Sequence, residues 1–196
     1  RGNRFRLFFN KKQGIIESLE YGKEKIIRGG TVISGPLLNV YRSPTDNNKY
    51  LAVKWKKYGL DFLKYDVEKF HFEKNDNTVS VFIDFNCTGK NKAGFFHSVQ
   101  YLIFSNGCIR AQNSIQSYGK LPVLPKVGIR MALSPEYSQV HWLGRGPHEN
   151  YPDRKTGSPV GLYTKNVSEF YVPYVRPQET GNREDVRWAA LLNSSG

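Results

Sequence analysis

Apolar and polar positions alternate along most of this chain. In "TVSVFIDFNCTG", Val79, Val81, Ile83 and Phe85 recur at every second residue, the period that lines one face of a β-strand. "KYDVEKFHFEK" leads into that run through Asn75-Asp76-Asn77, and "FFHSVQYLIFS" passes through Asn106-Gly107 into "CIRAQNSIQ". Asn-Gly between two such runs is the strongest short hairpin signal, because both residues tolerate the positive φ of a tight hairpin turn. "RFRLFFN", "IIESLEYG" and "KEKIIRGG" predict an opening meander turning at "KKQG". "KVGIRMALS" and "SQVHWLG" predict further strands, and "VGLYTKNVSEFYVPYV" and "VRWAALLN" predict strand or extended chain. "GPLLNVYRSPTDNN" is a short apolar run entering a Pro/Asp/Asn loop. One stretch leaves period two: "YLAVKWKKYGLDFL" sets Leu51, Trp55 and Tyr58 on one helical face, with Gly59 near its end. No repeat or low-complexity linker interrupts the pattern. The expectation is one antiparallel all-β domain over residues 1–196, a sandwich.

Composition adds little to that fold but narrows the function. Aromatic content of 14% suits β-structure. The net charge is +12, yet the bases are scattered, with the densest groups at Lys54, Lys56, Lys57 and at Arg183, Arg187 among acids. No basic run interleaved with aromatics marks a nucleic-acid groove, so no nucleic-acid partner is expected. The charge reads instead as a solvated surface or a face for an acidic partner domain. No stretch reaches the apolar length of a membrane span, so no membrane partner is expected. Cys87 and Cys108 are too few for a disulfide scaffold or a Cys-based zinc site, and read as buried free thiols in strands. Arg1 in first place and a strand-like run close to Gly196 suggest a piece of a longer polypeptide.

"HWLGRGPHENYPDRKTG", residues 141–157, concentrates turn formers together with groups that bind sugars, metals or carboxylates. His148-Glu149 is followed by Asn150, Tyr151 and Pro152, which breaks the His-Glu-x-x-His zinc motif. His141 and His148 lack an evident third ligand, so no metal site is expected. No Gly-x-Ser-x-Gly elbow exists. Carboxylates occur at Glu149 and Asp153 and at Glu179, Glu184 and Asp185, and paired acids could hydrolyse a glycoside. Each has arginines nearby: Arg145 and Arg154, or Arg176, Arg183 and Arg187. Arginine pairing lowers an acid's pKa, which is wrong for a general acid, and braces loops bidentately. The residues favour structure or binding over catalysis, and no catalytic residue is expected. Trp142, Tyr151, Tyr163, Tyr171, Tyr174 and Trp188 crowd the last third. They read either as a sugar-stacking face or as the margin of a sandwich core.

These residues carry a resemblance. Trp142, Gly144, Gly146, Pro147, Glu149, Tyr151, Asp153 and Arg154, then Pro173-Tyr174, Pro177, Glu179, Gly181 and Arg183, fit the pattern of the C-terminal small-chain domain of bacterial β-galactosidases, glycoside hydrolase family 2. "YRSPTDNN" is similar to the family's Arg-x-Pro-x-Asp-Asn-Asp stretch, with Asn48 where Asp is usual. "FNKKQGIIESLEYGKEKII" resembles its opening meander.

The resemblance implies an antiparallel supersandwich, galactose-mutarotase-like and truncated at the C-terminus, without the family's catalytic TIM barrel or final segment. It implies retaining hydrolysis of terminal β-galactosides by two glutamates of that barrel. It therefore implies no catalytic residue, metal or cofactor in this chain, with any Mg2+ belonging to the barrel domain. The implied partners are the barrel domain, a galactoside and further copies of a homo-oligomeric full enzyme, in bacterial cytoplasm or periplasm. Arg42, Asp46, His148, Glu149, Tyr151, Asp153, Arg154, Arg176, Glu179 and Arg183 are the candidates for carbohydrate or interdomain contact. The family's sugar-contacting Trp comes from a later segment, so Trp142 and Trp188 are not given that role. His71 and His97 read as packing residues.

Four local expectations follow. Arg154 should brace Glu149 and Asp153. Arg183 should pair with Glu179. Gly144 and Gly146 should supply backbone conformations closed to other residues. Missing final strands should leave a sheet edge or apolar face prone to self-association. Competing readings are a stand-alone carbohydrate-binding module and a mutarotase-like sugar epimerase.

Overall fold

The computed structural model describes residues 5–28 and 35–194. The chain gathers into two compact units, residues 1–42 with 50–133 and residues 43–49 with 134–196.

In the first unit the period-two runs become antiparallel strands. β1 (Phe5–Asn10), β2 (Ile15–Tyr21) and β3 (Glu24–Arg28) form one sheet in that order. β4 (Leu37–Asn39) pairs with the short β9 (Gly128–Arg130). β5 (Lys64–Lys74), β6 (Thr78–Thr88), β7 (Gly94–Phe104) and β8 (Ile109–Tyr118) form a four-stranded meander. Its register sets Val81 opposite Tyr101 and Ile83 opposite Val99, so one face of the sheet is apolar. That face and the inner side of β1–β3 close one core holding Phe5, Ile16, Leu19, Ile83, Phe85 and Phe95, all buried. Each such side chain contributes about 1.5–3 kcal/mol of burial. This is the all-β sandwich that the alternation predicts.

The one α-helix among the described residues, α1 (Lys49–Lys57), lies where the helical spacing placed it and buries Trp55, whose indole N–H donates to the Val123 carbonyl at 2.9 Å. His97 is a core residue, stacked on Phe85 with ring centroids 5.5 Å apart and Nε2 2.9 Å from Asn113 Oδ1. Burial lowers its pKa. His71, on β5, stacks on Phe82.

Two expectations are corrected. Val127, Ile129 and Met131 of "KVGIRMALS" stay exposed, and only three residues pair as β9. Cys87 is buried, but Cys108 is exposed, just beyond the Asn106-Gly107 turn. Burial, with the Asp66 charge nearby, pushes the Cys87 thiol up to about 12. The folded protein is therefore expected to take up one equivalent of a thiol reagent, at Cys108, and the second only on unfolding. Two fast-reacting thiols in the native protein would contradict that placement.

Candidate functional site

The second unit is built on a three-stranded sheet in the order β11-β10-β12, from β10 (Gln139–Arg145), β11 (Val160–Asn166) and β12 (Trp188–Leu192). The first residues of the Gly-Pro-rich stretch are thus a central strand, not a loop. Trp142 on β10 is 1% exposed. It packs against Tyr163 and Phe170, and its indole N–H donates to the Arg145 carbonyl at 3.0 Å.

Gly144 and Gly146 are glycines for room, not for backbone freedom. Neither is among the positive-φ residues. A Cβ on Gly146 would come within 2.6 Å of the Tyr163 ring, and one on Gly144 within 2.8 Å of the Val186 Cα.

Past cis Pro147 the chain turns and presents Glu149 to three donors. Oε1 accepts from Arg154 Nη2 at 2.6 Å and from the Tyr174 hydroxyl. Oε2 accepts from the Gly181 amide at 2.8 Å. Arg154 Nη1 also reaches the Tyr174 oxygen at 3.1 Å, closing a triangle. The Glu149 side chain is 6% exposed, while Arg154 is 46% exposed and lies over the Tyr151 ring, 4.7 Å from its centroid. Burial alone pushes the Glu149 carboxyl up. The bonds from Tyr174, Gly181 and Arg154, with the Arg154 charge, outweigh it, and the net pKa falls below the ordinary value. Tyr151 is pushed up to about 12, by burial first and then by the Glu149 and Glu179 charges.

Beside this carboxylate Asn150 is fully buried and ties two chain segments together. Its amide donates to the Asn182 carbonyl at 3.0 Å, and its Oδ1 accepts from the Glu184 amide at 2.7 Å. Its carbonyl accepts from Asn182 Nδ2 at 2.7 Å. Arg145 holds the same segment from the other side, with Nε 2.6 Å from Asp185 Oδ2 and Nη1 donating to the Lys155 and Ser158 carbonyls.

The expected Arg154–Glu149 pair is present, but Asp153 stands outside it and Arg183 does not pair with Glu179. Asp153 accepts from Asn47 Nδ2 at 3.1 Å, and Arg154 goes to Glu149 and Tyr174. Arg183 donates to the carbonyls of Pro147, Asn182 and Gly181 at 2.9, 3.0 and 3.3 Å rather than to a carboxylate. Its guanidinium lies over Phe170 and Trp142, 4.6 and 5.2 Å from the ring centroids. Planar, weakly hydrated guanidinium suits such a slot between rings and carbonyls.

A carboxylate held by three donors, one of them the Arg154 cation, is stabilised in its ionised form. Among the described residues no three His, Cys, Asp or Glu side chains are grouped to hold a metal ion.

The family model of the β-galactosidase small chain matches residues 1–196. The chain belongs to the β-galactosidase small-chain family. It is similar to a β-galactosidase of Priestia megaterium (29% identity, 100% of this chain, 18% of the relative). It is also similar to those of Vibrio cholerae (33% identity) and Kluyveromyces lactis (34% identity), each over 91% of this chain and 18% of the relative. The chain thus spans under a fifth of the length of these curated relatives.

Of the remaining candidates, Asp46, Arg176 and Glu179 gather at a different turn, Arg42 lies in the first unit, and His148 adjoins Glu149. Asp46, in a 3-10 turn over Asp46–Asn48, contacts Lys49 at 3.0 Å and Arg176 at 4.0 Å, and its amide donates to Gln178 Oε1 at 3.1 Å. The Lys49 bond, helped by the Arg176 charge, lowers its pKa. The Glu179 amide donates to the Pro44 carbonyl, drawing that segment to the same turn. Arg42 belongs to the first unit, where Nε donates to the Pro125 carbonyl at 3.3 Å. His148 is exposed and, with Lys165, Phe170 and Tyr174, lines a cavity of about 260 Å3 against Glu149. Sequence reasoning left Asn150, Tyr174, Gly181 and Asn182 off the candidate set. Tyr174 and Gly181 stood in the motif, but their partner lies 25 and 32 residues away.

Proposed function

We propose that this chain is the non-catalytic C-terminal β-sandwich domain, of galactose-mutarotase-like type, of a retaining β-galactosidase. The acid/base and nucleophile glutamates, and any Mg2+, belong to a TIM-barrel domain elsewhere in the polypeptide. That barrel, a galactoside and further copies of the full enzyme are its partners. The single observation that carries the bracing role is the Glu149 carboxylate, buried and held by Arg154, Tyr174 and the Gly181 amide. A group so fixed holds the loop around His148–Arg154 against the chain near Tyr174 and Gly181. It shapes the domain margin and performs no proton transfer.

A second reading has its own observation. The cavity beside Glu149 is rimmed by His148, Lys165 and the Phe170 and Tyr174 rings, a combination of flat apolar faces and donors that suits a sugar. Arg154→Ala in the full-length enzyme separates the two. Bracing requires a loss of about 1–3 kcal/mol of stability, because the remaining carboxylate keeps two of its donors, with KM within about twofold for intact protein. A mutant with unchanged melting temperature and a KM raised tenfold or more would move the loop into the sugar site.

A further inference from the structure

The two sheets of the first unit part along one margin, where β1 is the edge of one and β5 the edge of the other. A cleft of about 420 Å3 opens between them, within the roughly 300–1,000 Å3 typical of small-molecule sites. Phe5, Leu7 and Phe9 of β1 form one wall. Phe70 and Phe72 of β5 form the other, with Val79 and Ile103, register partners on β6 and β7, behind them. Phe72 is 57% exposed, a large apolar ring turned to an open space.

Cations stand at the mouth. Lys11 Nζ lies 6.0 Å from the Phe70 centroid and 5.8 Å from that of Phe72. Lys74 ends β5 on the same cleft, and Asp76 is the one acid among the lining residues. Phenyl walls take a planar aromatic body by stacking or edge contact. Two ammonium groups outnumbering one carboxylate select a negative head.

We propose that this cleft is a binding site for a small amphiphilic anion, an aromatic body carrying a single sulfonate or carboxylate. It lies wholly within the first unit and does not depend on the role of Glu149.

The test is titration of the 196-residue chain with 8-anilinonaphthalene-1-sulfonate, and with uncharged N-phenyl-1-naphthylamine as control. One saturable sulfonate site per chain is expected, with amide shifts in β1 and around Asn75–Thr78. Lys11→Gln with Lys74→Gln should weaken it roughly fivefold or more, and Phe72→Ala roughly tenfold. These side chains lie at the cleft's exposed mouth, and an unchanged melting temperature verifies that the variants fold. Equal affinity for the uncharged probe, several unsaturable sites, or affinity indifferent to all three substitutions would overturn the proposal. So would binding that is lost in a longer β-galactosidase polypeptide carrying this chain, because the cleft would then be covered by protein.

Discussion

Glu149→Ala is expected to cost about 2–4 kcal/mol of folding stability, because three hydrogen bonds to one charged acceptor are lost together. For a chain of this size that lowers Tm by roughly 10 °C. Three donors lose their acceptor at once: the Arg154 guanidinium, the Tyr174 hydroxyl and the Gly181 amide. Arg154, being half exposed, recovers water, whereas the Gly181 amide was directed at an almost buried oxygen. Glu149→Gln should cost less, since its amide oxygen still accepts. The same pairing fixes a pH dependence. The Glu149 pKa lies below its ordinary value of 4.5, so its contribution is fully present above that value. It is lost as pH falls through the lower, folded-state pKa. The stability gap between wild type and Glu149→Gln should therefore narrow in acid below about 4.5. Thermal melts of both proteins from neutral to acid pH check the sign, and a gap that widens in acid would contradict it.

Trp142→Ala should cost a similar amount, about 3–5 kcal/mol, the range for emptying a large buried aromatic site. The indole is 1% exposed and joins three groups: the Tyr163 and Phe170 rings and the Arg183 guanidinium. Its loss opens a cavity and uncovers one face of a cation whose other contacts are the Phe170 ring and three carbonyls. Trp142→Phe keeps a ring in place but loses the bond to the Arg145 carbonyl, and should cost roughly half as much or less. Denaturant unfolding of both variants measures this. An alanine variant within about 1 kcal/mol of wild type would show that the sheet does not depend on this ring.

The strands were legible where burial alternates. Val81, Ile83 and Phe85 are inside the sandwich because every second residue of β6 meets the same core. Trp55 showed α1 in the same way, at helical spacing. The pattern misled where apolar residues lack a core partner. Ile129 and Met131 alternate but remain exposed, and β9 stops after three residues. Val167–Phe170 read as extended, being rich in apolar and aromatic side chains. It is a 3-10 turn instead, with the Glu169 carboxylate reaching back to the Asn166 amide at 2.7 Å. The Asn-x-x-Glu spacing that permits this was present in the sequence.

At the candidate site, the Glu149–Arg154 pair was legible because the two residues stand five positions apart in one loop. Asn150 looked like a turn former, and only its burial reveals that it joins segments more than thirty residues apart. Arg183 stood near acids, and proximity in sequence suggested an ion pair. Carbonyls and aromatic rings brought together by long-range folding took the guanidinium instead.

The bracing, non-catalytic role is tested most directly by assaying the purified 196-residue chain with a chromogenic β-galactoside. With Glu149 held by its three donors as a brace, no turnover above the buffer rate is expected at neutral pH. Turnover that survives removal of host enzyme, and disappears in Glu149→Gln, would contradict the role and make this carboxylate a catalytic residue.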